Sequence, residues 1–198
     1  MNVQMQRYGV YFDAEVPVMK SMEYIEKDRE IKWEIRADSF RDALEKCDFI
    51  REYAKRKECV DCLMIRPQDE PVYTAIPRDM RKVESIIGGS IKISYSFDLK
   101  GVALLSDEFG KMRKECMNRA LYYKEIFYDI ISGVMICAQL DAHDDLVFMD
   151  IDNIVRAYET FKTPEIFLYD KEQKVLNTIL LSPEVARIMR DNDISYIG

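Results

Sequence analysis

The only histidine of the chain lies in an acidic segment whose side chains could hold a metal ion. His143 is surrounded by Asp141, Asp144 and Asp145, and Asp150 follows after a short apolar run. Carboxylates are hard ligands that suit Mg²⁺ or Mn²⁺, and such an ion can activate water for phosphodiester hydrolysis. One hypothesis is therefore a metal-dependent nuclease acting on RNA or DNA, with His143, Asp144, Asp145 and Asp150 as catalytic candidates.

The same segment also has a structural interpretation, which we favour. A metal site needs ligands that converge from different elements, whereas residues 141–145 read most simply as a solvated turn. Asp150 or Asp152 is well placed to cap the helix that follows. On this interpretation the chain carries no catalytic constellation, no metal and no cofactor.

Cys59 and Cys62 form a Cys-x-x-Cys pair, which can be half of a zinc site or a redox motif. No second pair follows at a suitable spacing, and Cys62 begins an apolar strand instead of a helix. The five cysteines are an odd number and are scattered along the chain. They fit small apolar side chains in a reducing compartment, so we expect a cytoplasmic protein.

A neighbouring Asn118-Arg119 pair could bind an anion, because a guanidinium matches a carboxylate or a phosphate. Three basic residues precede the pair and could complete a local patch for nucleic acid: Lys111, Arg113 and Lys114. The alternative, which we prefer, is structural. In it Arg119 pairs with Asp129, and Asn118 holds a turn in a loop.

Aromatic side chains follow this pair at Tyr122, Tyr123, Phe127 and Tyr128. Such a cluster can stack on bases, anchor a protein interface, or bury its members against one another. At this spacing aromatic side chains more often bury one another, and this is the interpretation we favour.

The charge balance is acidic, with 29 Lys and Arg against 36 Asp and Glu and a net charge of −7. This disfavours a surface built throughout for nucleic acid and favours a protein partner with a basic groove. The acidic residues expected to meet that groove are Glu23, Glu26, Asp28, Asp141, Asp144 and Asp145. No apolar run reaches the roughly 18 residues of a membrane span, so no membrane contact is expected, and a homo-oligomer stays open.

The elements that must position these residues are read from periodicity and turn signals. Strands are predicted at 8–13, 31–36, 60–66, 72–76, 90–97, 102–106, 134–140 and 146–150, with a hairpin over 165–181 turning at 171–174. Helices are predicted at 39–57, 79–87, 153–162 and 185–192, and residues 14–29 are predicted to be an irregular connection or a hairpin arm. The fold class is α+β, with small mixed or antiparallel sheets packed by a few helices. A β-α portion spans residues 1–60 and an α+β portion spans 61–198.

Several landmarks occur in a fixed order: Gly88-Gly89 before a strand, Gly110 in a DEFGK turn, Asn118-Arg119, Asp129 and Gly133. In these landmarks the chain resembles, over roughly residues 61–168, an uncharacterised family carried by phages, plasmids and integrative elements. The resemblance implies an accessory gene of mobile DNA, a setting in which small proteins often block host defences.

The leading hypothesis is thus a non-catalytic protein that inhibits or modulates a host nucleic-acid-processing defence complex, as an anti-CRISPR or anti-restriction protein does. It would do so by occlusion through its acidic surface. The metal-dependent nuclease and a nucleic-acid-binding accessory protein are the alternatives.

Overall fold

The computed structural model describes residues 5–26, 28–96, 98–170 and 175–191. These residues form thirteen strands and five helices, which confirms the α+β class. The predicted turn at 171–174, and the predicted segment ends at 97 and 192, lie outside the described residues.

The strands are β1 (Gln6–Asp13), β2 (Val16–Ser21), β3 (Trp33–Ala37), β4 (Cys59–Ile65), β5 (Val72–Pro77), β6 (Ile91–Tyr95), β7 (Ala103–Asp107), β8 (Met117–Tyr123), β9 (Ile126–Ser132), β10 (Met135–Leu140), β11 (Leu146–Val147), β12 (Glu165–Asp170) and β13 (Val175–Leu180). The helices are α1 (Phe40–Lys46), α2 (Phe49–Arg56), α3 (Met80–Ile87), α4 (Ile151–Phe161) and α5 (Pro183–Asp191), and a 3₁₀ turn covers Met22–Tyr24.

One nine-stranded sheet organises the described residues. Its order is β3-β1-β2-β5-β4-β10-β7-β6, with β11 paired to β10. The pairings between its strands are antiparallel. The predicted portion boundary near residue 60 falls inside β4, and the sheet continues across it because β2 pairs with β5. Two separate antiparallel hairpins, β8-β9 and β12-β13, lie outside this sheet.

The central strands of the sheet are buried on both faces, as β10 shows. In β10, Met135 and Cys137 enter the core that α1, α2 and α4 cover. The alternate residues Ile136 and Ala138 enter a second core, which α3 covers. The continuous apolar run at 134–140 therefore indicated a strand buried on both sides, as predicted.

The helix predicted over 39–57 is wrong as a single element. Cys47 leaves the helical conformation with φ −125° and ψ 82°, so α1 ends there and α2 starts at Phe49. The break has a packing reason. Helix α1 contacts β3 and α4, whereas α2 contacts β2, β4 and β5, and a straight helix would not reach both sets of partners.

In the segment 14–29 the hairpin arm is confirmed, because β2 pairs with β1 and the 3₁₀ turn follows it. Two other predictions are corrected. The loop predicted around Asn118 and Arg119 is strand β8. The predicted strand at 146–150 is shortened to β11. Among the described helices, none has the length and apolar character that crossing a membrane requires.

Candidate functional site

The hairpin β8-β9 is buried at its base and exposed at its end. Its base side chains, among them Leu121 and Ile131, are part of the protein core. Its end carries five large side chains that are 39–70% exposed. We call these five residues the aromatic tip: Tyr122, Tyr123, Ile126, Phe127 and Tyr128. Mutual burial, one of the three interpretations of the aromatic cluster, does not describe side chains this exposed.

The aromatic tip is nevertheless ordered by local contacts. Tyr122 lies opposite Phe127 in the strand register, and their rings meet edge to face at 6.1 Å. The Nζ atom of Lys124 lies 5.2 Å from the ring centroid of Tyr123. The aromatic tip is therefore an ordered surface, with exposed apolar side chains and the ammonium group of Lys124 at its turn.

Arg119 anchors the base of this hairpin from within β8. Its side chain is 0% exposed, and it donates to the backbone carbonyls of Asp69 (2.5 Å) and Phe161 (3.1 Å). A further nitrogen donates to the carbonyl and the side-chain oxygen of Asn118 at 3.0 Å each. These acceptors come from three parts of the chain, so the guanidinium fixes the hairpin to the β4-β5 connection and to α4.

Asn118 completes the anchor. Its Nδ2 donates to the carbonyls of Ile65 at 2.8 Å and Gly133 at 2.7 Å. The amide therefore joins the end of β4 to the turn between β9 and β10. Asn118 and Arg119, the predicted anion-binding pair, therefore bind the protein's own backbone.

The predicted anion patch is not assembled in the structure. Arg119 lies inside, whereas Lys111 and Arg113 lie on the surface in separate ion pairs: Lys111 with Asp129, and Arg113 with Asp107. The predicted Arg119–Asp129 pair is replaced by the Lys111–Asp129 pair. Lys114 is exposed in the same loop, with a positive φ of 58°.

Three of the landmark glycines surround the second of these ion pairs. A Cβ atom on Gly89 would collide with Arg113 and Asp107, and one on Gly110 or Gly133 would press on the carboxylate of Glu115. Arg113 also donates to Glu115 at 3.1 Å. The glycine pattern therefore makes room for a charged cluster that holds the loop before β8, and we assign it a structural role.

The histidine segment forms a turn. The carboxylate of Asp141 accepts from the backbone N–H groups of His143 at 2.8 Å and Asp145 at 3.0 Å. Asp144 has a φ of 62°, and Asp150 occupies the N-cap position of α4 while accepting from Gln139 at 3.4 Å. Within the described ranges, no group of three or more His, Cys, Asp or Glu is arranged to hold a metal ion.

The acidic residues proposed for occlusion occupy three different places. Glu23 lies in the 3₁₀ turn. Glu26 and Asp28 border a surface depression beside Arg29, whose Nε lies 3.5 Å from Glu26. Asp141, Asp144 and Asp145 lie in the turn between β10 and β11.

The cysteine pair lies in β4, with Cys62 fully buried and Cys59 half-buried. Burial raises the pKa of both thiols. Each therefore stays protonated, which suits an apolar side chain and not a metal ligand or redox nucleophile.

A cleft of about 600 Å³ opens at the start of β1, and no pattern in the sequence predicts it. Its walls come from β1, the 3₁₀ turn and the end of α4, and Glu70 of the β4-β5 connection lies at its floor. Glu70 accepts from the Ser21 N–H at 2.6 Å and from the Tyr158 hydroxyl at 3.3 Å. Burial raises the pKa of Glu70 to about 8, and nearby Asp69 adds to the shift while Lys20 opposes it.

Glu70 is the neutral member of a buried network of charged side chains. Lys20 pairs with Asp69 at 2.6 Å, so their charges compensate each other. Burial also raises the pKa of Tyr8 and of Tyr24 to about 12, so both phenols are neutral. Its residues are far apart in the chain, and no spacing in the sequence signals the cluster.

A family model described as a domain of unknown function (DUF3846) matches residues 60–162. This range contains β4 without its first residue, β5 to β11, α3 and α4, together with the aromatic tip and its anchor. No curated protein and no solved structure matches the chain.

Proposed function

The chain belongs to the DUF3846 family of domains of unknown function, and we propose that it is a non-catalytic binding protein that attaches to another protein through the aromatic tip. The observation that carries the proposal is the contrast within one hairpin. Five large side chains, 39–70% exposed, are presented by a hairpin whose base is buried and fixed by Arg119.

Exposed apolar clusters of this kind mark interaction surfaces, because water contact with them is unfavourable. Tyrosine and phenylalanine supply large contact areas with few rotatable bonds, so little side-chain entropy is lost on binding. The buried anchor adds to this effect. A hairpin that is already fixed loses little conformational freedom when a partner covers it.

The charges around the aromatic tip favour a protein over a nucleic acid. Lys111 is paired with Asp129, and Lys124 is adjacent to Glu125 and lies over an aromatic ring. Lys111 therefore has a compensating carboxylate, and the chain as a whole carries −7, a balance that disfavours phosphates as partners. A partner with an apolar pocket and a basic rim fits both features.

We further propose that this partner belongs to a host nucleic-acid-processing defence complex, such as a CRISPR-Cas or restriction system. The resemblance to a protein family carried by phages, plasmids and integrative elements supports this setting. The acidic surface residues would then steer the protein toward the basic nucleic-acid groove of the complex, and the aromatic tip would hold it there.

The test measures whether the purified protein inhibits purified CRISPR-Cas and restriction nucleases. We expect at least one complex to lose DNA cleavage as the protein is titrated. The variant Ile126→Ser/Phe127→Ser should raise the concentration for half-inhibition at least about tenfold, since interface anchors are worth about 2 kcal/mol or more. The control Leu180→Ser removes an apolar side chain of similar exposure (65%) from strand β13, outside the β8-β9 hairpin, and should inhibit like the parent protein.

Two results would argue against the proposal. One is inhibition that the tip variant retains in full. The other is tight binding of single-stranded DNA or RNA that weakens steeply with salt, which would make the protein a nucleic-acid-binding accessory instead.

A further inference from the structure

Strand β6 ends the main sheet on one side, and its outer edge pairs with no other strand of the described chain. It is a short alternating strand, with Ile91, Ile93 and Tyr95 on one face. Ile93 is 37% exposed and Tyr95 is 58% exposed. An open strand edge with apolar side chains is a template for another strand.

The backbone groups that face outward can be identified from the pairing with β7. Ser90 accepts from the Glu108 N–H at 2.9 Å, so the backbone of Ser90 faces β7. In an antiparallel ladder this orientation alternates along the strand. The N–H and C=O groups of Ile91, Ile93 and Tyr95 therefore point away from β7, toward the open edge.

We propose that β6 pairs in antiparallel fashion with β6 of a second copy of this chain, around a twofold axis through Ile93. In this register Ile93 lies opposite Ile93, and Ile91 lies opposite Tyr95. Lys92 lies opposite Ser94. All three outward-facing residues find a hydrogen-bonding partner, apolar side chains meet apolar side chains, and no like charges are opposed.

Neighbouring registers are less favourable. A twofold axis through Lys92 would place two lysines directly opposite each other, which is destabilising. An axis through Ser94 would leave Ile91 without a partner inside the strand. The sequence of β6 is thus self-complementary about Ile93 in a way that it is not about its neighbours.

The opposite edge of the sheet is protected by charge. Strand β3 carries Glu34 and Arg36, and Glu34 accepts from both Arg36 and Arg7 of β1. Charged side chains on an edge discourage pairing with another sheet. Strand β6 has Lys92 as its single charged residue, which makes β6 the edge open to a second copy.

The pairing would bring the two hairpins to the same side of the joined sheet. Lys92 of β6 lies 3.9 Å from Asp129 of β9, so the hairpin stands beside this edge. A twofold axis perpendicular to the sheet keeps equivalent faces together. The inference goes beyond the proposed function and holds whatever the aromatic tip binds.

The first test is the mass of the purified protein by light scattering during gel filtration at micromolar concentration. We expect twice the chain mass of 23.3 kDa. Ile93→Lys should reduce it to the mass of one chain, while circular dichroism shows that the variant is folded. Leu180→Lys, an exposed site elsewhere, should leave the dimer intact. A single-chain mass for the parent protein, or a dimer that Ile93→Lys leaves unchanged, would overturn the proposal.

The second test fixes the register by cysteine cross-linking in a Cys59→Ser/Cys116→Ser background. Ile93→Cys should form a disulfide between copies, because directly opposed residues lie within the Cα separation that a disulfide spans, about 4.4–6.8 Å. Lys92→Cys alone should not cross-link, whereas a mixture of Lys92→Cys and Ser94→Cys chains should. Efficient cross-linking of Lys92→Cys with itself would contradict the register.

Discussion

Arg119 donates two hydrogen bonds, from Nε and Nη2, to the carbonyl oxygen of Phe161, each at 3.1 Å. Phe161 is the last residue of α4, where the final carbonyls of a helix lack partners within the helix. The Arg119 guanidinium supplies a hydrogen-bond donor for one of these carbonyls, and its positive charge is favourable at the negative end of the helix dipole. Burial lowers the pKa of Arg119 to about 10, which still leaves it protonated at neutral pH.

Replacing Arg119 should therefore destabilise the whole fold. Arg119→Met keeps most of the volume but leaves the carbonyls of Phe161 and Asp69 without these donors. The free energy of unfolding should fall by about 3–5 kcal/mol, because buried carbonyl acceptors lose their hydrogen-bond donors. Urea unfolding followed by circular dichroism measures the difference.

The matched control is Arg36→Met, which removes an arginine from the surface. Its side chain is 71% exposed and its bond to Glu34 is long, at 3.3 Å. Exposed pairs contribute about 0–1 kcal/mol. If Arg119→Met costs no more than Arg36→Met, Arg119 is not the anchor described above.

The elements with local signals were predictable from the sequence. Helix α3 has Asp79 as its N-cap, whose side chain accepts from the Arg81 N–H, and Gly88 as its C-cap with φ 92°. Helix α4 ends before Pro164, and β10 is apolar on both faces. Each of these features depends on residues within a few positions of one another, so periodicity and capping rules suffice.

The turns of the hairpins β1-β2 and β8-β9 were not predictable, because they lack the usual residues. Two-residue hairpin turns with positive φ at both positions favour Asn-Gly. Here Ala14 and Glu15, with φ of 46° and 69°, and Lys124 and Glu125, with φ of 48° and 66°, take those positions. Packing of the strands overrides the local preference, and the sequence does not display that packing.

The anchor and the cleft were missed for a different reason. The distant acceptors of Arg119 are backbone carbonyls 42 and 50 positions away, and a carbonyl has no residue type to recognise. Glu70 and Tyr158 are 88 positions apart. Side-chain chemistry that depends on such contacts becomes visible only in the folded chain.

Glu70 should make the stability of the protein fall as pH rises. Burial raises the pKa of Glu70 from 4.5 to about 8, so between these values the folded protein holds a proton that the unfolded chain has released. This contribution is complete below pH 4.5 and is lost as pH rises through 8. The slope from this group is at most about 1.4 kcal/mol per pH unit.

Glu70→Gln should flatten this dependence, since the amide keeps the shape of the side chain and does not titrate. The free energy of unfolding, measured in urea at pH 5, 6, 7 and 8, should fall less for the variant than for the parent protein. Glu159→Gln, at an exposed site, serves as control and should follow the parent protein. Parallel pH profiles for the parent protein and Glu70→Gln would show that the buried carboxyl is ionised throughout.

Gly88 and Gly133 allow the cost of backbone strain to be measured apart from the cost of steric crowding. Gly88 and Gly133 both have positive φ, 92° and 72°, but a Cβ on Gly88 meets nothing within 4 Å, whereas one on Gly133 collides with Glu115. Gly88→Ala should cost about 1–2 kcal/mol from the backbone alone. Gly133→Ala should cost more in the same unfolding assay, and Glu115→Ala should recover only the excess. Equal losses for the two alanine variants would mean that Glu115 moves away freely.

The turn of the hairpin β8-β9 offers a stabilising change that also tests the aromatic tip. Lys124→Asn/Glu125→Gly introduces the pair that tolerates positive φ, and relief of the left-handed strain should add about 1–2 kcal/mol to the free energy of unfolding. As a control, Lys55→Asn/Arg56→Gly places the same pair in α2. It should lower the free energy of unfolding, since asparagine and glycine are poor helix formers. The five tip side chains are untouched, so inhibition of the target should persist. A loss of stability from Lys124→Asn/Glu125→Gly would show that this turn does not have the geometry described.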